Sequence, residues 1–251
     1  MNALTTTARQ LLAALDLTSL NEGDTPATVA ALCQRAQSPF GPVAAVCVWP
    51  RFVAQARASL PADIRVAAVA NFPDGALDVA RALDDIAAIA QSGAQEIDVV
   101  LPYRALVAGQ VQEVGEFLAE VRHASQPLTL KVIIESGELG SEALIRRATQ
   151  LSLNAGADFV KTSTGKTPVS ATPEAARAML DEIAISGLGN AGFKASGGIR
   201  TVAQGQVYID LLTERLGADA LPRLRIGASS LLDDIEAVLG GTARATPAQG
   251  Y

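Results

Sequence analysis

Short apolar runs alternate with amphipathic stretches along almost the whole chain. The runs near residues 12–17, 43–49, 64–70, 96–101, 128–134, 157–162, 191–195 and 223–227 are four to seven residues of nearly unbroken hydrophobicity, the signature of strands buried on both faces. Between them, TPATVAALCQRAQ, ALDVARALDDIAAIAQSG, VQEVGEFLAEVRHA, SEALIRRATQLSLNAG, TPEAARAMLDEIAISG and TVAQGQVYIDLLTERLG repeat their apolar positions at helical spacing. Several of these stretches end at glycine, which a left-handed helix C-cap favours. Two junctions echo each other, IAQSGAQEIDVV and LNAGADFVKTS, each passing from helix through Gly-Ala and an acidic residue into a strand. Alternation of this kind forces parallel pairing through right-handed crossovers. The α/β pattern therefore predicts a single (β/α)8 TIM barrel, with a short N-terminal helix and a flexible C-terminal tail from about residue 240. A doubly wound open sheet is the alternative, but SGAQEI and ASGGIR do not make the glycine-rich dinucleotide loop it would carry after its first strand.

Length agrees with the pattern. A chain of 251 residues is the usual size of one such barrel, and no Pro/Gly/Ser-rich linker divides residues 1–251 into two domains. Hydrophobic residues make up 49% of the chain, enough for a large core without staples. The net charge of −6 and the scattered arginines leave no basic face for nucleic acid. The opening MNALTTTARQLLAALDLTSL lacks a basic segment followed by a continuous apolar one, and no later run is long enough to cross a bilayer. The expectation is a cytoplasmic protein with neither a membrane nor a nucleic-acid partner. Cys33 and Cys47 both sit in apolar segments and read as buried, reduced thiols. His123 is the only histidine and falls within a helical pattern as a partly exposed residue, which argues against histidine-based triads and metal sites.

The distribution of the basic residues points to chemistry. Of 20 Lys plus Arg, only four are lysines, and Lys131, Lys161, Lys166 and Lys194 all lie at or just after apolar runs in the second half. Arginine supplies charge and solvation but stays protonated and cannot act as an amine. Lysines kept where arginine would not serve suggest an amine nucleophile; ion pairing with carboxylates is the other reading. In a parallel barrel the reactive groups gather at the C-terminal ends of the strands. Asp16 in ALDLTSL, Asp98 in EIDVVLPYRAL, Lys131 and Glu135 in LKVIIESGEL, Lys161 in DFVKTSTGK and Lys194 in GFKASGGIR all fall there. Period-two alternation puts Lys131 and Glu135 on one strand face, with Asp98, Glu135 and Asp16 as the candidate acids for the lysines. An ordinary lysine is neutral in only about one molecule in 2,500 at pH 7. A second ammonium nearby and partial desolvation lower its pKa, so Lys161 and Lys194 on consecutive strands form a candidate nucleophile and its tuner.

A second group of residues suits a phosphate. STGK at 163–166, SGG at 196–198 and GASS at 227–230 all follow strands, and their backbone N–H groups, hydroxyls and one flexible ammonium fit an anionic ester. Each glycine-serine turn taken alone is also ordinary turn chemistry. STGK lacks the preceding glycine of a P-loop, which argues against a nucleotide triphosphate.

At these residues the chain resembles the deoxyribose-phosphate aldolase family. ALDLT, VCVWPRFV, NFPDG, EIDVVLPYRAL, LKVIIESGEL, ADFVKTSTGK, GFKASGGIR and RIGASSLL are similar to that family's segments in the same order. The resemblance implies a class I aldolase that splits 2-deoxy-D-ribose 5-phosphate into glyceraldehyde 3-phosphate and acetaldehyde, in the breakdown of deoxyribonucleosides. It implies that Lys161 forms the Schiff base, that Lys194 tunes it, and that Asp98, with an ordered water, moves protons. Asp16 and Lys131 are implied as the supporting charge network. Gly165, Lys166, Gly197, Gly198, Gly227, Ser229 and Ser230 are implied as the region receiving the phosphate. The terminal Tyr251 matches a tail residue that covers the site and assists proton transfer, simple disorder being the other reading of the tail. No metal or other cofactor is expected, because an iminium supplies the electron sink. The expected partners are the small sugar phosphate and acetaldehyde, together with a second copy of the chain in a homodimer. The competing functions are a transaldolase-like or ketose-phosphate Schiff-base enzyme and a non-catalytic sugar-phosphate sensor.

Overall fold

The computed structural model describes residues 3–242. Among them, eight parallel strands close into a barrel in chain order. They are β1 (Leu15–Thr18), β2 (Ala45–Val48), β3 (Arg65–Ala70), β4 (Glu96–Val100), β5 (Thr129–Ile133), β6 (Phe159–Lys161), β7 (Gly192–Ser196) and β8 (Leu224–Ala228). Around them lie α1 (Ala3–Ala14), α2 (Pro26–Arg35), α3 (Val53–Ser59), α4 (Val79–Gln91), α5 (Tyr103–Val107), α6 (Val111–Ala124), α7 (Glu142–Asn154), α8 (Pro173–Ser186), α9 (Val202–Leu216) and α10 (Leu231–Leu239). The barrel and its eight strands are those the hydrophobic pattern predicts.

Local sequence chemistry explains most boundaries. Thr25, Asp78, Ser141, Thr172 and Thr201 each accept a backbone N–H of the helix they precede, so the first turns of α2, α4, α7, α8 and α9 begin at side-chain caps. The helix α8 stops at Gly187, whose φ of 68° is left-handed. One expected strand needs correction. Of the run 12–17, residues 12–14 belong to α1 and only Leu15 onward is strand. The cause is packing: α1 lies on α9, where a Cβ on Gly205 would sit 2.6 Å from Leu11 Cδ1, so this helix is locked against its neighbour by a close approach. The pattern also gave no warning of the short helices α3 and α5, of seven and five residues.

Register decides which polar residues meet. Neighbouring strands pair Asp98 with Lys131, Lys161 with Lys194, Lys194 with Arg225 and Asp16 with Gly227. Registered partners in a parallel sheet share a face, so these side chains enter the barrel together. Below Lys161 on β6, Phe159 fills the space that a Cβ on Gly192 would take, at 2.4 Å from its ring. Cys33 and Cys47 are both free and buried, and His123 is exposed near the end of α6. No helix among the described residues is long and apolar enough to cross a membrane. Tyr251 and the tail from residue 243 lie outside the described residues.

Candidate active site

Seven charged side chains share the barrel interior. Lys161 Nζ donates to Asp98 Oδ2 at 2.7 Å, and Lys194 Nζ donates to the same oxygen at 2.8 Å and also to Asp16 Oδ2. Lys131 Nζ reaches Asp98 Oδ1 at 2.8 Å, Glu96 Oε2 at 2.6 Å and Asp16 Oδ2 at 3.6 Å. From β8, the Arg225 guanidinium donates to Asp16 Oδ1 at 2.7 Å and to both Glu96 oxygens at 2.9 and 3.0 Å. The three lysines and Asp16 and Asp98 are buried to 2% exposure or less. Charges hidden this deeply persist only when paired, and here every carboxylate oxygen has a cationic partner.

The three lysines share burial but not partners, and their protonation diverges for that reason. Burial works against the ammonium at all three. At Lys194 this is overcome by Asp16 and Asp98, and at Lys131 by Asp98, Glu96 and Asp16, so both are held above an ordinary lysine. At Lys161 burial wins: Asp98, with a smaller contribution from Cys47, opposes it, while the Lys194 ammonium pushes the same way as burial, and the amine is pulled below the ordinary value. Desolvation is therefore the leading cause and the neighbouring cation a secondary one, both of which the sequence reading names. Asp16 and Asp98 are held below the usual carboxylate range, because the surrounding cations outweigh the opposing effect of burial. Cys47 faces the same cluster from β2, and burial pushes its thiol up to about 11.

Glu135 departs from the expectation that it shares a face and a network with Lys131. The strand β5 ends at Ile133, and Glu135 has a left-handed φ of 51°, so period-two alternation no longer applies. Its buried carboxylate accepts from Thr164 Oγ1, from Thr164 N at 3.3 Å and from Thr167 Oγ1 at 3.2 Å. Thr164 Oγ1 in turn accepts the backbone N–H of Lys166 at 3.0 Å. Glu135 thus organises the loop after β6, and the acid that meets Lys131 in its place is Glu96.

Beside the lysines opens a cavity of about 370 Å³. Its lining contains Gly165, Lys166, Gly197, Gly198, Ser229 and Ser230 from the loops after β6, β7 and β8, and Gly227 from β8 itself. Ser230, the cap residue of α10, also lines the cavity and gives the helix no side-chain cap. Lys166 Nζ is tied to Leu20 O at 2.6 Å, at the edge of the same cavity. Gly227 joins the two regions: a Cβ there would lie 2.5 Å from Ser196 Oγ and 3.1 Å from Lys194 Cε. An amine of lowered pKa, an adjacent carboxylate and a polar recess roomy enough for a phosphate ester together suit a carbonyl substrate carrying an anionic ester.

Comparison with known proteins agrees with this geometry. The sequence profile of the DeoC/LacD family of aldolases matches residues 10–236. The chain belongs to the DeoC/LacD aldolase family. It is 50% identical over 245 residues to the deoxyribose-phosphate aldolase of Agrobacterium fabrum, covering 96% of this chain and 94% of that protein. Among solved structures, a protein from Coccidioides immitis described as a putative deoxyribose-phosphate aldolase is 30% identical, with a TM-score of 0.79 over 91% of this chain and 85% of the other. A protein from Toxoplasma gondii with the same description, in its apo form, is 25% identical, with a TM-score of 0.87 over 98% of this chain and all of the other.

Two members of the charge cluster of this DeoC/LacD aldolase escaped the reading of its sequence. Glu96 stands two residues before Asp98 in EIDVV, so the alternation that turns Asp98 inward turns Glu96 inward as well. Arg225 is a lone charge inside the apolar run LRIGA, a signal hidden by the abundance of arginine elsewhere. Among the described residues, no cluster of three or more His, Cys, Asp or Glu side chains is arranged to hold a metal ion.

Proposed function

We propose that this aldolase reversibly cleaves 2-deoxy-D-ribose 5-phosphate to D-glyceraldehyde 3-phosphate and acetaldehyde through a Schiff base on Lys161. The observation that carries the reading is that Lys161, alone of the three buried lysines, is drawn toward its neutral form. The relative in Agrobacterium fabrum supports the choice of substrate.

The open-chain aldehyde enters with its phosphate in the recess formed by Gly165, Lys166, Gly197, Gly198, Gly227, Ser229 and Ser230. The free amine of Lys161 adds to the carbonyl carbon, and the carbinolamine loses water to become an iminium. That cation withdraws electrons as the bond between carbons 2 and 3 breaks; the hydroxyl on carbon 3 gives up its proton and leaves as the aldehyde of glyceraldehyde 3-phosphate. The remaining enamine takes a proton on carbon 2, and water hydrolyses the iminium to acetaldehyde and free Lys161. Asp98, 2.7 Å from Lys161 Nζ, is placed to carry protons in the addition and dehydration steps. Lys194 and Lys131 stay cationic and keep Asp98 and Asp16 ionised.

The sign of the pH dependence follows. Addition needs the neutral amine, so kcat/KM falls as pH is lowered through the depressed pKa of Lys161. Borohydride in the presence of acetaldehyde is expected to leave a reduced ethyl group on Lys161, located by peptide mass mapping. An adduct on another lysine, or a Lys161→Arg protein that still aldolises, would contradict the assignment. We propose a role in deoxyribonucleoside breakdown in the cytoplasm and a homodimeric assembly, the latter checked by light scattering.

A further inference from the structure

The barrel holds more charge than the reaction consumes. Arg225 and Glu96 lie outside the residues lining the recess, yet they make four of the contacts that organise the cluster. Glu96 is 2% exposed, and the Arg225 side chain is 15% exposed, with its guanidinium 5.5 Å over the Phe159 ring.

A count of charges shows what the pair does. Three carboxylates, Asp16, Glu96 and Asp98, face Arg225, Lys131, Lys194 and Lys161. If all four basic groups were protonated, the largely buried cluster would carry one uncompensated positive charge. Such a charge is relieved most cheaply by loss of a proton. Arg225 cannot give one up. Lys131 touches three carboxylates and Lys194 two, whereas Lys161 touches only Asp98. The proton therefore leaves Lys161.

We propose that Arg225 and Glu96 are a positioning pair that fixes the charge balance of the cluster, three cations against three carboxylates, and so leaves Lys161 as the free amine. The inference rests on Lys161 being the reacting lysine. Its surroundings are defined on every side: Asp98 from β4, Lys194 from β7 and Cys47 from β2 act on it directly, and Lys131 from β5 meets it through the shared Asp98. Arg225 anchors Asp16 by its Oδ1, leaving Oδ2 for Lys194, and Glu96 supplies the third carboxylate that keeps Lys131 charged.

The test measures borohydride trapping of acetaldehyde on Lys161 as a function of pH in Arg225→Gln, Glu96→Gln and the double variant, with circular dichroism to establish folding. Removing the arginine leaves a surplus carboxylate, which favours the Lys161 ammonium, so the acid limb is expected to move up by about one pH unit, a tenfold loss of free amine below it. Removing Glu96 leaves a surplus cation, so the limb is expected to move down by about the same amount. The double variant restores the balance and is expected to return near the parent profile, a rescue that a merely structural role would not produce. If Arg225→Gln does not fold, the Glu96→Gln and double variants still decide the matter by the direction of their limbs. An acid limb that stays put or moves up in Glu96→Gln, or a double variant displaced further than either single one, would overturn the proposal. A parent protein that traps nothing on Lys161 defeats the Schiff-base reading itself, whereas trapping with unmoved limbs defeats only the role of this pair.

Discussion

Asp98 and Lys194 both touch the environment of Lys161, but they do different things to it, and substitution separates them. Lys194→Met removes a cation that helps hold Lys161 neutral and leaves Asp98 to Lys161 and Lys131. The acid limb of kcat/KM is then expected to rise, with at least a tenfold loss of activity near pH 7 that is partly recovered at higher pH. Asp98→Asn removes the carboxylate that favours the Lys161 ammonium, so the amine becomes freer and the acid limb does not rise. Its kcat is nonetheless expected to fall by about 10²–10⁴, the usual contribution of a positioned proton carrier. A pH-rate profile of each variant distinguishes loss of free amine from loss of proton transfer. Cys47 faces the same lysines, but its raised thiol pKa keeps it protonated and a poor nucleophile at neutral pH.

At the level of elements, the loops after β6, β7 and β8 bring substrate and lysine together. Glu135 holds the first of them through Thr164 and Thr167, so Glu135→Ala is expected to loosen the stretch that carries Gly165 and Lys166. KM for the phosphorylated sugar should rise about tenfold, the cost of one lost hydrogen bond to a charged group, with kcat less affected. Equal effects on deoxyribose and its phosphate, compared by steady-state kinetics, would refute that role. On the outer ring, Gly205→Ala puts a methyl 2.6 Å from Leu11 and is expected to cost about 1–3 kcal/mol by overpacking, read from a shift in the denaturant midpoint. The elements were also where the sequence was most and least legible. Eight buried runs and six amphipathic stretches announce the barrel because strand and helix periodicities differ so sharply. The start of β1 was misplaced because Leu12 serves a helix packed on α9, a tertiary fact that a short apolar run does not carry. Lys161, Lys194, Asp98, Lys131 and Asp16 stood out as rare charges in apolar runs, whereas Glu135 escaped correct placement because its left-handed backbone breaks the alternation.

For the whole molecule, the charge cluster links stability to pH. Asp16 and Asp98 have folded-state pKa values below the ordinary aspartate value of 3.8, so they bind fewer protons folded than unfolded. Their contribution to stability is complete above that value and is lost as pH falls below it toward the depressed folded-state values. Thermal unfolding followed by circular dichroism should show a steep fall in Tm below about pH 4, flattened in Asp16→Asn. The claim on which the chemistry depends is a single neutral amine inside a barrel that otherwise holds its lysines charged. With only four lysines in the chain, a protein carrying ¹³C at lysine Cε gives four resonances to assign, each by its loss in a Lys→Arg variant. The resonance that disappears in Lys161→Arg is expected to titrate below the ordinary lysine value of 10.5, while those of Lys131 and Lys194 do not titrate below it. A Lys161 resonance titrating at or above 10.5 would contradict the account.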